Sequence, residues 1–490
     1  MASRRDFIKR YIGDRPFYAA VLALIVPIII QNSISNFVNL LDNLMVGSVG
    51  EAQMNGVSIS NQLMFVYNLC IFGGMSGAGI YAAQFYGAKD LDGLRHSFRF
   101  TVIVGVFISI VGILIFTFFE EQLLSLWINP DLSGDAEAVA AELLKAEESL
   151  KAGRQYLTVM VFGLVPFAFT NAYASILRTT GETKLPMTAS VISVFTNLVL
   201  NTVLIFDEIT VLGLRVRLFG LGVTGAAIAT VAARYVELAI ILFVSYRRLY
   251  KEGQYEFLRG AFRHFQIPAK LFKRILVKSL PLLFNELLWS SGMSVLSQQY
   301  SLRGLTVVNA MTITSTLTNL FNVFFISMGT ASSVLVGRAL GANDIPDARD
   351  KARKIIVFEE FICLGTCILL LLTAKWLPLV YTKSSLDAKA LASRLIRVSA
   401  LVLPLNGFSH CAYFTLRAGG KTFITFLFDS VYTWLMPVPM AFLLVKYAQA
   451  LNVVEIYAIV NFLEIFKVAL GYILLKKGVW ISNIVSAEAE

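Results

Sequence analysis

Among the carboxylates inside long apolar stretches of the sequence, Asp42, Glu286 and Asp429 stand out. A charge in hydrocarbon is costly, so such residues mark an ion or proton path, a substrate contact, or a hydrogen bond worth the expense. Asp42 lies 15 residues beyond Pro27 (42 − 27 = 15), roughly 22 Å along an ideal helix, toward the outer end of its stretch. It reads as a coupling acid or as an interfacial acid wetted by headgroups. Glu286 sits deep beside Asn285 with no basic residue within one turn, which favours function. Asp429, among Phe426, Leu427, Phe428 and Val431, is functional or else half of a structural bond between helices. Glu237 and Glu464 have Arg234 and Lys467 three residues away on the same helix face, and both pairs read as structural.

Neutral oxygens form a second constellation. Asn197 and Asn201 share one helix face at i,i+4 spacing, with Asn171 and Thr196 on neighbouring turns or helices. Carboxamide and hydroxyl oxygens suit a hard monovalent cation such as sodium, or hydrogen-bond a protonatable Asp42. Plain bonding between helices is the remaining alternative. Gly225 to Thr230 reads as a close-packing face, with Thr230 as an extra ligand. A nucleophile with its base, or a metal-binding cluster, is not evident, so the chain is read as neither an enzyme nor a cofactor protein. Nor is there a repeated filter or a ring of like charges, as a channel would show. Of the histidines, His96 and His264 fall in charged loops and His410 in an apolar run. Cys70, Cys363, Cys367 and Cys411 all fall in apolar runs, where thiols pack as small apolar groups.

These residues need elements to place them, and composition says which. The chain has 490 residues, 57% of them hydrophobic and 15% charged, with a mean hydropathy of +0.69. That is too apolar for a soluble fold of this length. Twelve runs are long enough to cross about 30 Å of hydrocarbon as helices. They lie near 17–45, 52–84, 97–119, 155–176, 185–206, 221–246, 275–299, 306–337, 355–381, 388–416, 422–446 and 453–476. The fold class is therefore an all-α polytopic membrane protein. The basic N-terminus and first run stay as a span, not a cleaved signal.

Charge fixes the orientation. Arg4, Arg5, Lys9, Arg10 and Arg15 precede the first run, and Lys89, Arg95 and Arg99 follow the second. Arg178 and Lys184 follow the fourth, and Arg349, Lys351, Arg353 and Lys354 the eighth. The connector 247–274 is also basic. By the positive-inside rule both termini are expected in the cytoplasm, and the expected membrane is the plasma (inner) membrane. The net charge of +10 is a topological signal beside an anionic leaflet, and no nucleic-acid partner follows from it. The long loop 120–154 on the other side is acidic, and its Ala-Glu-Lys-Leu composition predicts a surface helix extending the fourth span.

The chain also repeats itself. Shifted by 254 positions (281 − 27 = 254), the stretch Pro27 to Arg95 falls on Pro281 to Arg349, and Gly-Ala-Lys-Asp at 87–90 answers Gly-Ala-Asn-Asp at 341–344. With a shift of 239 (416 − 177 = 239), Leu177-Arg178 and Gly181-Glu182-Thr183 fall on Leu416-Arg417 and Gly420-Lys421-Thr422. The difference, 254 − 239 = 15 residues, places an insertion at about 131–150 of the first half. Two homologous halves follow: an N-terminal lobe 1–246, a cytoplasmic connector 247–274 and a C-terminal lobe 275–490. Six spans in each make the repeats parallel, related by a pseudo-two-fold axis along the membrane normal, with a transport path expected between them. The repeat sets Leu296 opposite Asp42 and Asn32 opposite Glu286, so the acids are asymmetric.

Pro27, Leu41-Asp42-Asn43-Leu44-Met45-Val46-Gly47, Tyr86-Gly87-Ala88, the two Leu-Arg-x-x-Gly-x-Thr turns, Asn197-x-x-x-Asn201 and Gly225 to Thr230 appear in an order that resembles the multidrug and toxic compound extrusion (MATE) transporters. The resemblance covers nearly the whole chain outside the insertion. It implies a twelve-helix, two-lobed exporter of lipophilic, often cationic small molecules, surrounded by membrane lipid, driven by sodium or protons and working as a monomer. It also implies an N-lobe cation site at Asp42, Asn197, Asn201 and Thr230, and a C-lobe site at Glu286. Many relatives have aspartate where Asn201 stands, and a span 10 aspartate would fall near Asn406, so both sites are poorer in charge here. The coupling ion stays open between sodium and the proton. Two rivals are a lipid-linked oligosaccharide flippase of the same superfamily and a channel-like or regulatory protein. Phe65, Tyr67, Phe72, Phe321, Phe324 and Phe325 are candidates for an apolar cavity wall.

Overall fold

A computed structural model describes residues 10–128, 135–211, 214–381 and 385–486. Arg4, Arg5 and Lys9, the part of the insertion at 131–134, and the Phe321 side chain lie outside the described residues. Among the described residues, twelve long helices match the twelve expected spans. They are α1 (Arg15–Gly47), α2 (Glu51–Gly87), α3 (Leu91–Phe118), α4 (Val139–Thr179), α5 (Lys184–Ile205), α6 (Gly222–Glu252), α7 (Ala269–Ser301), α8 (Leu305–Gly341), α9 (Ile345–Thr373), α10 (Leu386–Ala418), α11 (Thr422–Tyr447) and α12 (Val453–Lys476). Ten of them are apolar across a membrane-length window. The two that are not, α7 and α10, carry Asn285 with Glu286 and Asn406 with His410. Polar residues in a span lower its hydropathy, and a neighbouring helix must then satisfy them.

The echoes in the sequence are turns of matching geometry. Lys89 and Asn343 both take the left-handed conformation, with φ of 60° and 59°. The next N–H groups close back on the helix, Asp90 onto the Phe85 carbonyl at 2.9 Å and Asp344 onto that of Ala339 at 3.0 Å. This is the common left-handed helix ending. The aspartates then cap the following helix, accepting the N–H of Gly93 at 2.9 Å and of Asp347 at 3.0 Å, which satisfies a donor the first turn leaves free. Gly181 and Gly420 share a second geometry, with φ of 91° and 71°.

Where these turns begin, the repeated helices touch by backbone. A Cβ on Gly87 would lie 2.0 Å from the Arg338 carbonyl oxygen, and one on Gly341 1.9 Å from that of Gln84. Since 341 − 87 and 338 − 84 both equal 254, the contact is reciprocal, as a two-fold relation between α2 and α8 requires. Only glycine lets helix backbones approach so closely. Beside the crossing, the buried Gln84 amide donates to the carbonyls of Ala418 at 2.9 Å and Ser482 at 3.1 Å, and accepts the Ile484 N–H at 2.8 Å. The tail after α12 is thereby tied to α2, with Trp480 buried among Val21, Leu335, Ile355 and Leu416.

The helices form two compact units. One comprises the chain through Ile29, Ser76–Leu94 and the chain from Pro268; the other comprises Ile30–Met75 and Arg95–Ile267. In the second, loop arginines do more than mark a side of the membrane. Arg99 donates to the carbonyls of Ala261 and Gln266, and Arg95 to that of Glu256 at 3.1 Å, so the connector is held in place. Tyr255 donates to Glu182 at 2.8 Å, and Glu182 pairs with Arg248 at 2.9 Å. Burial, with Glu182 beside it, pushes the Tyr255 hydroxyl up to about 12, so it remains a donor at neutral pH. The insertion is helical as expected: Ala136–Met160 runs through a 3-10 turn at Val161–Gly163 into Leu164–Thr179. Arg154 anchors it to Glu120 at 2.8 Å and Glu121 at 3.2 Å.

Three features depart from the sequence reading. A small antiparallel hairpin, β1 (Glu208–Val211) and β2 (Leu214–Arg217), joins α5 to α6. A π turn at Leu427–Val431 and a break at Met436, just before Pro437, interrupt α11. Finally, Arg234 does not pair with Glu237 among the described residues. Its guanidinium donates to the Gly163 carbonyl at 3.1 Å and lies 4.9 Å from the Phe167 ring centre, because a freed carbonyl and an aromatic face on the adjoining helix offer better geometry than a side chain one turn away.

The glycine crossing predicts a stability difference. Gly341→Val should lower the thermal unfolding midpoint of the purified protein by an amount equivalent to about 1–3 kcal/mol, since nothing but backbone can yield. Gly365→Ala, where nothing lies within 4 Å, should leave it unchanged or raise it by up to about 1 kcal/mol.

Candidate functional site

In the second unit, three helices deliver the residues singled out in the sequence to one cluster. The i,i+4 pair on α5 is buried, Asn197 at 5% and Asn201 at 1% exposure, because α5 packs closely on α6. A Cβ on Gly225 would lie 2.5 Å from the Leu204 carbonyl oxygen, and Ser193 of α5 donates to the Ala233 carbonyl of α6 at 2.7 Å. The Gly225 to Thr230 segment is thus the close-packing face expected of it. Asn201 Nδ2 donates to Asp42 Oδ1 at 2.5 Å and to Asn197 Oδ1 at 3.1 Å, and Asn197 Nδ2 donates to Thr230 Oγ1 at 3.2 Å. The carboxylate fixes which way the Asn201 amide points, since the flipped orientation would set oxygen against oxygen.

The chemistry of this cluster is that of an oxygen-rich cation or proton site. Asp42, Asn197, Asn201 and Thr230 each bring a side-chain oxygen, only Asp42 is ionisable, and Asn201 Oδ1 is buried without a hydrogen-bond partner among the described residues. A desolvated amide oxygen left unpaired is a cost that a ligand would remove. Asn171 and Thr196 do not join: each turns back on its own helix, to the carbonyls of Phe167 and Ile192 at 2.9 Å.

The first unit holds a different arrangement around Asn285 of α7. Asn285 Nδ2 donates to Asp429 Oδ2 at 3.1 Å and to the Tyr413 hydroxyl at 3.3 Å, while its Oδ1 accepts the Ser430 hydroxyl at 2.8 Å. The π turn places Asp429 and Ser430 together on this side, and such bulges often serve a site. Asp429 is paired, with Lys467 Nζ of α12 at 2.8 Å from its Oδ1. Glu464 is 3.7 Å from the same ammonium, so the expected Glu464–Lys467 pair is a secondary contact. Glu286, next on α7, is partly buried, and the charges acting on it are Arg417 and Asp429. Asn406 is partly buried on α10 and joins neither cluster. Of the aromatic candidates, Tyr67 is buried and bonded to Ser109 at 2.8 Å, and Phe325 stacks on His410 with ring centres 5.5 Å apart. Phe65 and Phe72 are exposed.

The sequence reading missed the part played by Asn285 and Lys467, whose partners come from helices 144 and 38 residues away. It also missed Glu359 and Glu360, which lie inside the ninth run. A check of every acid within the runs would have found them.

Twelve spanning helices, repeated turns and carboxylates held by amides on neighbouring helices define a membrane transporter. The family model described as MatE matches residues 27–203 and 281–443, and the chain belongs to the MATE family. The two matched segments begin at Pro27 and Pro281, the pair that opens the internal repeat. The probable multidrug resistance protein NorM of Thermotoga maritima is 22% identical over 436 residues, 88% of this chain and 86% of its own. The probable multidrug resistance protein YoeA of Bacillus subtilis is 24% identical over 434 residues, 87% of this chain and 86% of its own. Among solved structures, the outward-facing conformation of a multidrug resistance MATE family transporter superposes with a TM-score of 0.78 at 20% identity, covering 96% of this chain and 98% of the other. MATE in the bent conformation gives 0.75 at 21% identity, covering 95% and 97%.

The Asp429–Lys467 pair predicts a double-mutant cycle. Lys467→Met should destabilise by about 3–5 kcal/mol by stranding a buried carboxylate. The double change Lys467→Met with Asp429→Asn should recover most of that in thermal unfolding.

Proposed function

We propose that this transporter is a cation-coupled antiporter, driven by sodium ions or protons, that exports lipophilic, often cationic compounds by alternating access of its lobes 1–246 and 275–490. The observation that carries the reading is the Asp42–Asn201–Asn197–Thr230 cluster, which sets one ionisable group among neutral oxygens with one amide oxygen unpaired. The names of the curated relatives support the substrate class. The excess of basic residues in alternate loops supports cytoplasmic termini by the positive-inside rule; the spans belong in the plasma membrane, and the protein acts as a monomer.

The mechanism follows from charge. A cation or proton at Asp42 neutralises it, removes the need for Asn201 to solvate a carboxylate, and lets α1 and α5 repack in the low-dielectric interior. Glu286, lacking a partner as close as the one Lys467 gives Asp429, is the second acid whose charge can change. Asp429 keeps its ion pair and holds α7, α11 and α12 in register, with Asn406 a neutral contact for substrate. A cationic substrate competes for the same charge, so ion and substrate weaken each other's binding reciprocally.

Efflux of a fluorescent cationic dye from proteoliposomes, under an imposed sodium or pH gradient, tests this. Wild type should respond to one gradient, and Asp42→Asn or Glu286→Gln should slow that response by about tenfold or more, within the usual coupling range of about 5–150-fold. No dye movement under either gradient from a folded preparation would overturn drug export and turn attention to lipid-linked substrates.

A further inference from the structure

A further pair of acids, Glu359 and Glu360, lies on α9 and shares no hydrogen bond with either cluster among the described residues. Glu359 is 1% exposed, and its Oε2 accepts the Cys411 thiol of α10. Its Oε1 and that of Glu360 are buried without a hydrogen-bond partner among the described residues. Among the described residues, the titratable groups facing Glu359 are Glu360 and Cys363 from its own helix and Cys411 from α10, none of them a cation. The helix α8 also packs on α9, and its one titratable residue, Arg338, lies over the Tyr86 ring, 4.7 Å from the centre. From α1, Tyr18 stands against Phe358 with ring centres 5.0 Å apart, and its hydroxyl takes the Gly13 N–H at 3.2 Å. The α10 backbone closes the remaining side at Gly407, where a Cβ would lie 2.5 Å from Cys363 Sγ and 3.6 Å from Glu360 Oε1.

A carboxylate buried against a second acid and two thiols has neither counter-ion nor solvent, which costs far more than the unmade hydrogen bond of a neutral acid. We infer that Glu359 is a proton-binding site of the first unit, held as the neutral acid with the Cys411 thiol as its partner. The inference goes beyond the antiport reading and stands independently of it.

Infrared spectroscopy of the full-length protein in lipid nanodiscs at neutral pH tests it directly. Wild type should show a protonated-carboxyl carbonyl band that shifts in deuterium oxide. Glu359→Gln should lose that band, and Cys411→Ala should keep it but move it to higher wavenumber as the thiol bond is lost. A spectrum unchanged by Glu359→Gln would overturn the inference. So would a band that vanishes when sodium chloride replaces choline chloride, which would make the site one for a metal cation. If Glu359→Gln does not fold, Cys411→Ala carries the test, and an unshifted band overturns the proposal.

Discussion

The structure depends on two glycines that allow two helices to meet by backbone. With Gly87 against Arg338 and Gly341 against Gln84, the repeated helices α2 and α8 lie closer than any side chain permits. Lipid offers no hydrophobic drive for helices to associate, so close van der Waals contact and satisfied polar groups must supply it. The crossing provides both. Left-handed turns of matching geometry follow at Lys89 and Asn343, and Gln84 collects three backbone partners beside the crossing. The repeat in the sequence is therefore the record of a physical contact: residues that punctuate the chain persist in both halves because each must fit the other.

The two polar clusters solve the burial of charge in different ways. Asp429 has a cation at 2.8 Å and an amide at 3.1 Å, so its charge is matched within the protein. Asp42 has an amide alone among the described residues, and amide dipoles do not cancel a net charge. Matched charges fix helix positions; unmatched ones leave an opening for a mobile ion. The two clusters thus differ in chemistry: Asp429 is compensated by Lys467 within the protein, and Asp42 has no ion pair among the described residues.

How much of this the sequence disclosed depended on range. Spans, capped turns and the close-packing face at Gly225 come from hydropathy and local stereochemistry, which act over a few residues and are written plainly in composition and spacing. The Asp42 cluster was legible because its members were already marked as polar residues in apolar runs. Partner choice was not. Lys467 is as near to Glu464 in sequence as Arg234 is to Glu237, yet one ammonium reaches Asp429 on another helix and the other guanidinium takes the Gly163 carbonyl and the Phe167 face. Helix-face rules describe which pairs can meet, and the tertiary environment decides which of them do. The hairpin between α5 and α6 was legible too, in the alternation of Ile209, Val211, Leu214 and Val216 about Gly213.

The lacing of the tail to α2 carries a consequence for biosynthesis. The Gln84 carbonyl oxygen of the side chain accepts from an N–H 400 residues further along. At about 5–20 residues per second, the ribosome delivers that partner roughly 20–80 seconds after Gln84 itself has been made. Through that interval α2 carries a side chain built for partners that do not yet exist. The Gln84 end of the second helix is thus made early in synthesis and completed only after 400 more residues have been added.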